Sequence, residues 1–217
     1  MAKITMDMIK ELRERTSAGV VDCKTVLAET DGDIEKAVEE LQKRGIAKAA
    51  KKQGRIAAEG LIGNYVHAGG KIAVLVEINC ETDFVARGEE FQGLCEDVAM
   101  QVAAMNPLYV RADEIPEADV EKQREIFTAQ VLEEGKPEKI IPKIVDGKIA
   151  KWKKENCLVD QVFVKDNDLT IDQLVTNFTA SSGEKTTVRR FARFEVGEGL
   201  EKRVHDLAAE VAEQINK

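Results

Sequence analysis

The chain has 217 residues, of which 43% are hydrophobic, 33% charged and only 5% aromatic, with a net charge of -8 and four cysteines. That length allows one or two domains around a sizeable aliphatic core, and the composition excludes a disordered chain; no apolar run approaches the roughly 20 residues of a membrane span. The acidic balance excludes a surface that grips phosphate backbones over its whole extent, although not a local basic patch.

The start, Met1-Ala2-Lys3-Ile4-Thr5-Met6-Asp7, has no signal-like apolar segment, and Cys23, Cys80, Cys95 and Cys157 form no Cys-x-x-Cys pair. The expectation is a cytoplasmic protein with reduced, buried thiols. The first fifty residues read as three short helices. Ile9 and Leu12 share a face of the first, Val26 and Leu27 mark the second, and Ile34, Ala37, Val38 and Leu41 stripe the third at helical spacing. Thr16-Ser17-Ala18-Gly19 and Thr30-Asp31-Gly32-Asp33 separate them, with Asp33 suited to cap the third. From Lys43 to Arg55, six basic residues alternate with alanines. This composition suits a solvated helical linker, and an RNA-contacting patch is the competing reading, although aromatic platforms are absent.

Two strands follow, Leu61 to Val66 and Ile72 to Ile78, joined by a turn at His67-Ala68-Gly69-Gly70. The second strand ends in Cys80-Glu81-Thr82-Asp83-Phe84-Val85. Thr82 and Asp83 are helix-start residues, and on the residues alone the ordinary reading has Asp83 capping the next helix while Phe84 packs into the local core. A helix bearing Phe91, Leu94, Cys95, Val98, Val102 and Met105 on one face should stop at Asn106-Pro107. Residues 117 to 155 read as a helical hairpin turned at Gly135-Lys136-Pro137, with Pro142 kinking or restarting its second arm. The apolar stripe of such a hairpin needs another surface, so self-association, a homodimer, is expected.

Beyond the hairpin, Val159 to Val164 and Thr187 to Val196 read as strands, and Thr170-Ile171-Asp172-Gln173 as a capping box opening a helix through Phe178. After Gly197-Glu198-Gly199, Leu200, Val204, Leu207, Ala208, Val211 and Ile215 stripe a last amphipathic helix. The fold class is therefore α+β: a helical N-terminal module, a mixed core with an antiparallel sheet, an inserted hairpin and a C-terminal helix. The expected divisions are residues 1–54, 55–116, 117–156, 157–198 and 199–217.

Catalytic and nucleotide signatures are missing. His67 and His205 join no constellation with a nucleophile or carboxylate pair. Neither Gly70-Lys71-Ile72 nor Gly183-Glu184-Lys185-Thr186 satisfies a phosphate loop, and Gly-x-Gly-x-x-Gly does not occur. No catalytic residue, no metal ligand set and no cofactor is expected, nor direct nucleotide or nucleic-acid binding. An enzyme using Cys80 as nucleophile is the remaining catalytic alternative.

Three stretches nevertheless carry a resemblance: Leu12-Arg13-Glu14-Arg15-Thr16-Ser17-Ala18-Gly19-Val20-Val21-Asp22-Cys23-Lys24, Glu77 through Arg87, and Arg193-Phe194-Glu195-Val196-Gly197-Glu198-Gly199. In these, and in the order of elements from Ile4 to Val211, the chain resembles bacterial elongation factor Ts, the guanine-nucleotide exchange factor for elongation factor Tu. The resemblance implies a ubiquitin-associated-like N-terminal domain and a coiled-coil hairpin. It implies that Thr82, Asp83, Phe84 and Val85 displace magnesium from elongation factor Tu, with Phe84 wedged between partner helices. It also implies that Leu12, Arg13, Val20 and Val21 dock on the partner's nucleotide domain, and that His205 and Leu207 belong to a C-terminal module touching it. Val20 and Val21 stand where methionines are common in the family, and the Gly60 to Val76 pattern occurs once where longer members resemble a duplicated core.

Overall fold

The computed structural model describes residues 4–16 and 18–200. The last amphipathic helix expected from the sequence, with His205 and Leu207, lies outside the described residues.

The N-terminal module forms around an aliphatic centre. Helices α1 (Met6–Thr16), α2 (Val20–Glu29) and α3 (Ile34–Ala50) bring together Ile9, Leu12, Cys23, Val26, Leu27, Ala37 and Leu41. Asp33 caps α3 as expected, its side chain accepting the Lys36 amide hydrogen at 3.1 Å, and Asp31 takes the left-handed turn before it. The basic stretch is no separate linker helix: its first part is the end of α3, which lies along α8 (Ile171–Ser182). A Cβ on Gly45 would come within 3.0 Å of the Ala180 Cβ, so these two helices touch nearly backbone to backbone.

The central sheet has the order β1 (Glu59–Val66), β2 (Ile72–Cys80), β5 (Thr187–Glu195), antiparallel throughout. As the middle strand, β2 is the most apolar. Val74, Val76 and Ile78 point inward beneath α5 (Glu89–Met105), whose Phe91, Leu94, Cys95, Val98, Ala99 and Val102 complete the main core with Leu158, Ile171 and Val188. Phe91 and Phe178 meet edge to face at 5.6 Å, joining α5 to α8. A register shift against β5 falls between Glu77 and Ile78, after which Ile78, Asn79 and Cys80 are all buried. Such a bulge turns the strand end, here toward the segment that follows.

The β1 to α5 approach depends on a glycine. A Cβ on Gly63 would sit 2.7 Å from the Cys95 Cβ and 3.0 Å from the Cys95 carbonyl oxygen. Backbone atoms cannot swing aside as a flexible side chain can. Gly63→Ala is therefore expected to destabilise the protein by about 1–3 kcal/mol, read as a lower urea midpoint with an unchanged slope.

The hairpin consists of α6 (Glu117–Glu133) and α7 (Ile141–Asn156), turned at Gly135 in the left-handed region. Pro142 does not interrupt the second arm. It lies in the first turn of α7, where a missing N–H costs nothing, after a 3-10 turn at Glu138–Ile140. Val131, Ile141, Val145 and Ile149 form a core of their own, flanked by Val120, Phe127 and Ile144. The two arms thus cover each other's stripes, and the expectation that the stripe must seek another surface is corrected.

The strand expected over 159–164 is also corrected. The Asp160 amide donates back to the Cys157 carbonyl at 3.1 Å and the Gln161 amide to the Leu158 carbonyl at 3.2 Å, so the chain forms a 3-10 turn at Leu158–Asp160 instead. Only β3 (Val162–Phe163) remains, paired with β4 (Asp166–Thr170). Thr170 and Gln173 then make the expected capping box, and α8 continues past Phe178 to Ser182. The architecture is α+β, with helices on the inner face of an antiparallel sheet. Among the described residues no helix is long and apolar enough to cross a membrane.

Candidate partner-docking edge

The chain leaves β2 at Cys80 and enters a single helical turn, α4 (Asp83–Ala86), before Gly88 starts α5. Thr82 is the N-cap of this turn, its hydroxyl accepting the Val85 amide hydrogen at 3.4 Å. Asp83 instead pairs with Arg87 at 2.7 Å, one helical turn on. Ala86 is buried and Val85 packs against the main core, which anchors the turn from below. Phe84 is 83% exposed. The reading in which Asp83 caps and Phe84 packs into its own core is thus corrected: Thr82 takes the cap, and the turn's short arc points the ring at 84 outward while 85 and 86 face inward.

The turn is braced by the lead-in to the neighbouring strand β5. Glu184, in the loop between α8 and β5, accepts both the Thr82 amide hydrogen at 2.9 Å and the Thr82 hydroxyl at 2.7 Å. Glu81 answers in the opposite direction, accepting the Lys185 amide hydrogen at 2.7 Å and contacts from Arg55 at 3.3 Å. The Lys185 amide first, and then Arg55, hold the Glu81 carboxyl below its ordinary range. Lys185 in turn donates to the Arg55 carbonyl at 2.8 Å, and Lys52 to the Gly183 carbonyl. An exposed aromatic thus stands on a rigid base.

The other candidate residues divide into two groups. Arg13, Val20 and Val21 lie at the surface of the N-terminal module, with Val21 78% exposed. Leu12 is fully buried in that module's core, so it supports the surface and does not line it.

The basic stretch is largely engaged within the chain. Arg44 pairs with Glu29 and Glu40, Lys48 with Asp22 at 2.9 Å, and Arg55 with Glu81. Cys80 is buried, its thiol donating to the Thr82 carbonyl at 3.1 Å, and burial pushes it up from its ordinary value. A protonated, enclosed thiol is a poor nucleophile. Burial likewise pushes Cys95 up to about 12 and Cys157 up to about 11. Among the described residues no group of three or more His, Cys, Asp or Glu is placed to hold a metal ion.

Sequence reasoning missed the brace altogether. Glu184 and Lys185 lie 102 and 104 residues from their partners Thr82 and Glu81, and the sequence marked Gly183-Glu184-Lys185-Thr186 only as a failed phosphate loop. A paired Glu-Thr and Glu-Lys at the two ends of distant elements carries no local periodicity to find.

A small antiparallel sheet with helical modules around it, presenting an aromatic on a braced turn, is the make-up of a protein that works through contact with another. Proteins with sequences like this one are elongation factors. The family model described as elongation factor TS matches residues 1–198. The elongation factor Ts of Desulforamulus reducens is 59% identical over 215 residues, covering 99% of either chain. That of Heliobacterium modesticaldum is 56% identical over 99% of this chain and 100% of its own, and that of Geobacter sulfurreducens 54% identical over 96% and 97%. The chain belongs to the elongation factor Ts family.

Proposed function

We propose that the chain is the guanine-nucleotide exchange factor for elongation factor Tu. It binds the GDP-bound partner, disturbs the partner's magnesium and phosphate site, and so promotes GDP release and GTP loading. The observation that carries this reading is Phe84, 83% exposed on a turn whose base is fixed by Glu184, Val85 and Ala86. An aromatic ring held outward in water has no role in its own fold, and it is suited to enter a partner's packed helices.

The physics of the partner's site says why a wedge suffices. Magnesium demands near-octahedral oxygen ligation at about 2.1 Å, so moving its ligands by about 1 Å removes it, and the phosphates lose their main counter-charge. Nucleotide and exchange factor then weaken each other's binding reciprocally. No covalent chemistry is asked of this chain. In this reading Thr82 and Asp83 shape the turn, Phe84 and Val85 present the apolar tip, and Arg13, Val20 and Val21 give a second contact on the nucleotide domain. His205 and Leu207 would add a third from the C-terminal module. The three-helix module is read as ubiquitin-associated-like, the hairpin as a coiled coil, and the site of action as the cytoplasm.

A homodimer is part of the same reading. The outer face of the sheet carries Val66, Leu75 and Phe194, the last 66% exposed, with Val196 beyond the end of β5. Register places Val66 beside Ala73 and Ala73 beside Phe194, so these residues are contiguous. A second copy's equivalent face would cover them by a two-fold arrangement. Light scattering over a concentration series should give twice the chain mass at micromolar concentration, falling toward the monomer in Phe194→Glu; a wild-type monomer throughout removes the dimer from the proposal. The exchange reading is tested by release of labelled GDP from elongation factor Tu, which the wild-type chain should accelerate. No acceleration at any concentration overturns it.

A further inference from the structure

The brace beneath Phe84 has a chemistry separate from the tip itself. Glu184 is the residue on which it turns: one carboxylate oxygen takes the Thr82 amide hydrogen at 2.9 Å, the other takes the Thr82 hydroxyl at 2.7 Å. Because that hydroxyl donates its hydrogen to Glu184, its lone pair stays turned to the Val85 amide, 3.4 Å away. The cap of α4 is thereby oriented by a carboxylate from another element, through hydrogen bonds strengthened by its charge. Without it the Thr82 hydroxyl is free to rotate, and a helix of four residues has too little hydrogen bonding of its own to hold its shape.

We infer that Glu184 is a positioning residue of the exchange reaction, acting through Thr82 to hold the α4 turn in the conformation that presents Phe84 to the partner's nucleotide site. The inference rests on the exchange reading. It assigns to the loop between α8 and β5 a part in the activity that does not require it to touch the partner. Glu81 closes the same junction in reverse through the Lys185 amide and Arg55, so the two bonds of Glu184 can be removed while the loop stays attached.

The consequence is a split between rate and binding. A partner complex still forms when the turn is loose, since Phe84, Val20 and Val21 are all present, but the bound complex spends less time with the ring inserted. Glu184→Ala is expected to lower the maximal acceleration of GDP release about tenfold, while the concentration of exchange factor giving half that effect moves less than about threefold. Glu184→Gln should recover only part of the loss, because its amide oxygen can accept one of the two Thr82 hydrogens while its NH2 cannot accept the other, and the charge is gone.

Hydrogen exchange of the free protein supplies the independent readout. In Glu184→Ala the Thr82 and Val85 amides should exchange about tenfold faster, and the Lys185 amide, held by Glu81, should keep its wild-type rate. Faster exchange at Lys185 as well would mean the loop itself had come away and would overturn the assignment to Glu184. So would a Glu184→Ala protein that matches wild type in maximal rate, or one that loses rate with Thr82 and Val85 still protected. A wild-type chain that accelerates nothing overturns the exchange reading alone; the brace then stands or falls on the amides.

Discussion

Phe84→Ala should reduce the acceleration of GDP release on the order of 30-fold or more, the loss typical of removing an aromatic that anchors a protein interface at about 2 kcal/mol or above. Its stability should stay within about 0.5 kcal/mol of wild type, because a ring that is 83% exposed has few contacts of its own to lose. The two readouts together are diagnostic. A residue that served the fold would show the reverse pattern, with a lowered unfolding midpoint and near-normal exchange by whatever fraction stays folded. Asp83→Ala is the informative companion, since it removes only the ion pair to Arg87, which is exposed and worth little. Near-normal exchange in Asp83→Ala with strong loss in Phe84→Ala would place the work on the ring. Full activity in Phe84→Ala would remove the wedge from the mechanism, whatever the family.

Gln101→Leu should cost on the order of 3 kcal/mol, the largest stability effect expected of a single polar side chain here. Gln101 is completely buried in α5, and its amide is used at both ends. The Nε2 group donates to the Gln161 Oε1 at 3.2 Å and to the Val162 carbonyl at 3.0 Å, while the Oε1 accepts the Val164 amide hydrogen at 2.9 Å. Gln161 passes the chain on to the Glu155 carbonyl at the end of α7, at 2.7 Å. Leucine would leave the Gln161 Oε1, the Val162 carbonyl and the Val164 amide hydrogen without the buried Gln101 amide as their partner, with only a modest gain from apolar burial. Chemical denaturation measures the difference. A loss below about 1 kcal/mol would mean water reaches the β3 to β4 turn, and the network would then be a surface feature.

The contrast between these two residues shows what the sequence could disclose. Helices announced themselves where burial is one-sided and periodic, as in Ile34, Ala37, Val38 and Leu41, or where a cap is written locally, as in Thr170 to Gln173. The strand expected at 159–164 failed because the turn holding Leu158 and Val159 packs against α7 and α8 at once, a demand that comes from tertiary contacts. The segment ending β2 was recognisable by resemblance, yet the outward direction of Phe84 was not, since a four-residue turn has no period to read and its N-cap residue is bonded by Glu184 from 102 residues away. Gln101, read as one more position on an apolar helix, gave no sign of its network, because all its partners lie about 60 residues on. Leu12 shows the opposite limit. It shares a signature stretch with Arg13, Val20 and Val21, but the module's own core claims it.

The junction of residues 81 and 82 with 184 and 185 also sets an order of events during synthesis. A chain leaves the ribosome from its N-terminus, so β1, β2, α4 and α5 emerge with Phe84 in place long before Glu184 and β5 exist. Until then β2 has β1 on one side and a bare edge on the other, and Thr82 has no carboxylate to meet. The nascent protein therefore carries its aromatic tip through the synthesis of the 102 residues from Thr82 to Glu184 with the brace unmade, and the proposed docking edge matures only after that interval.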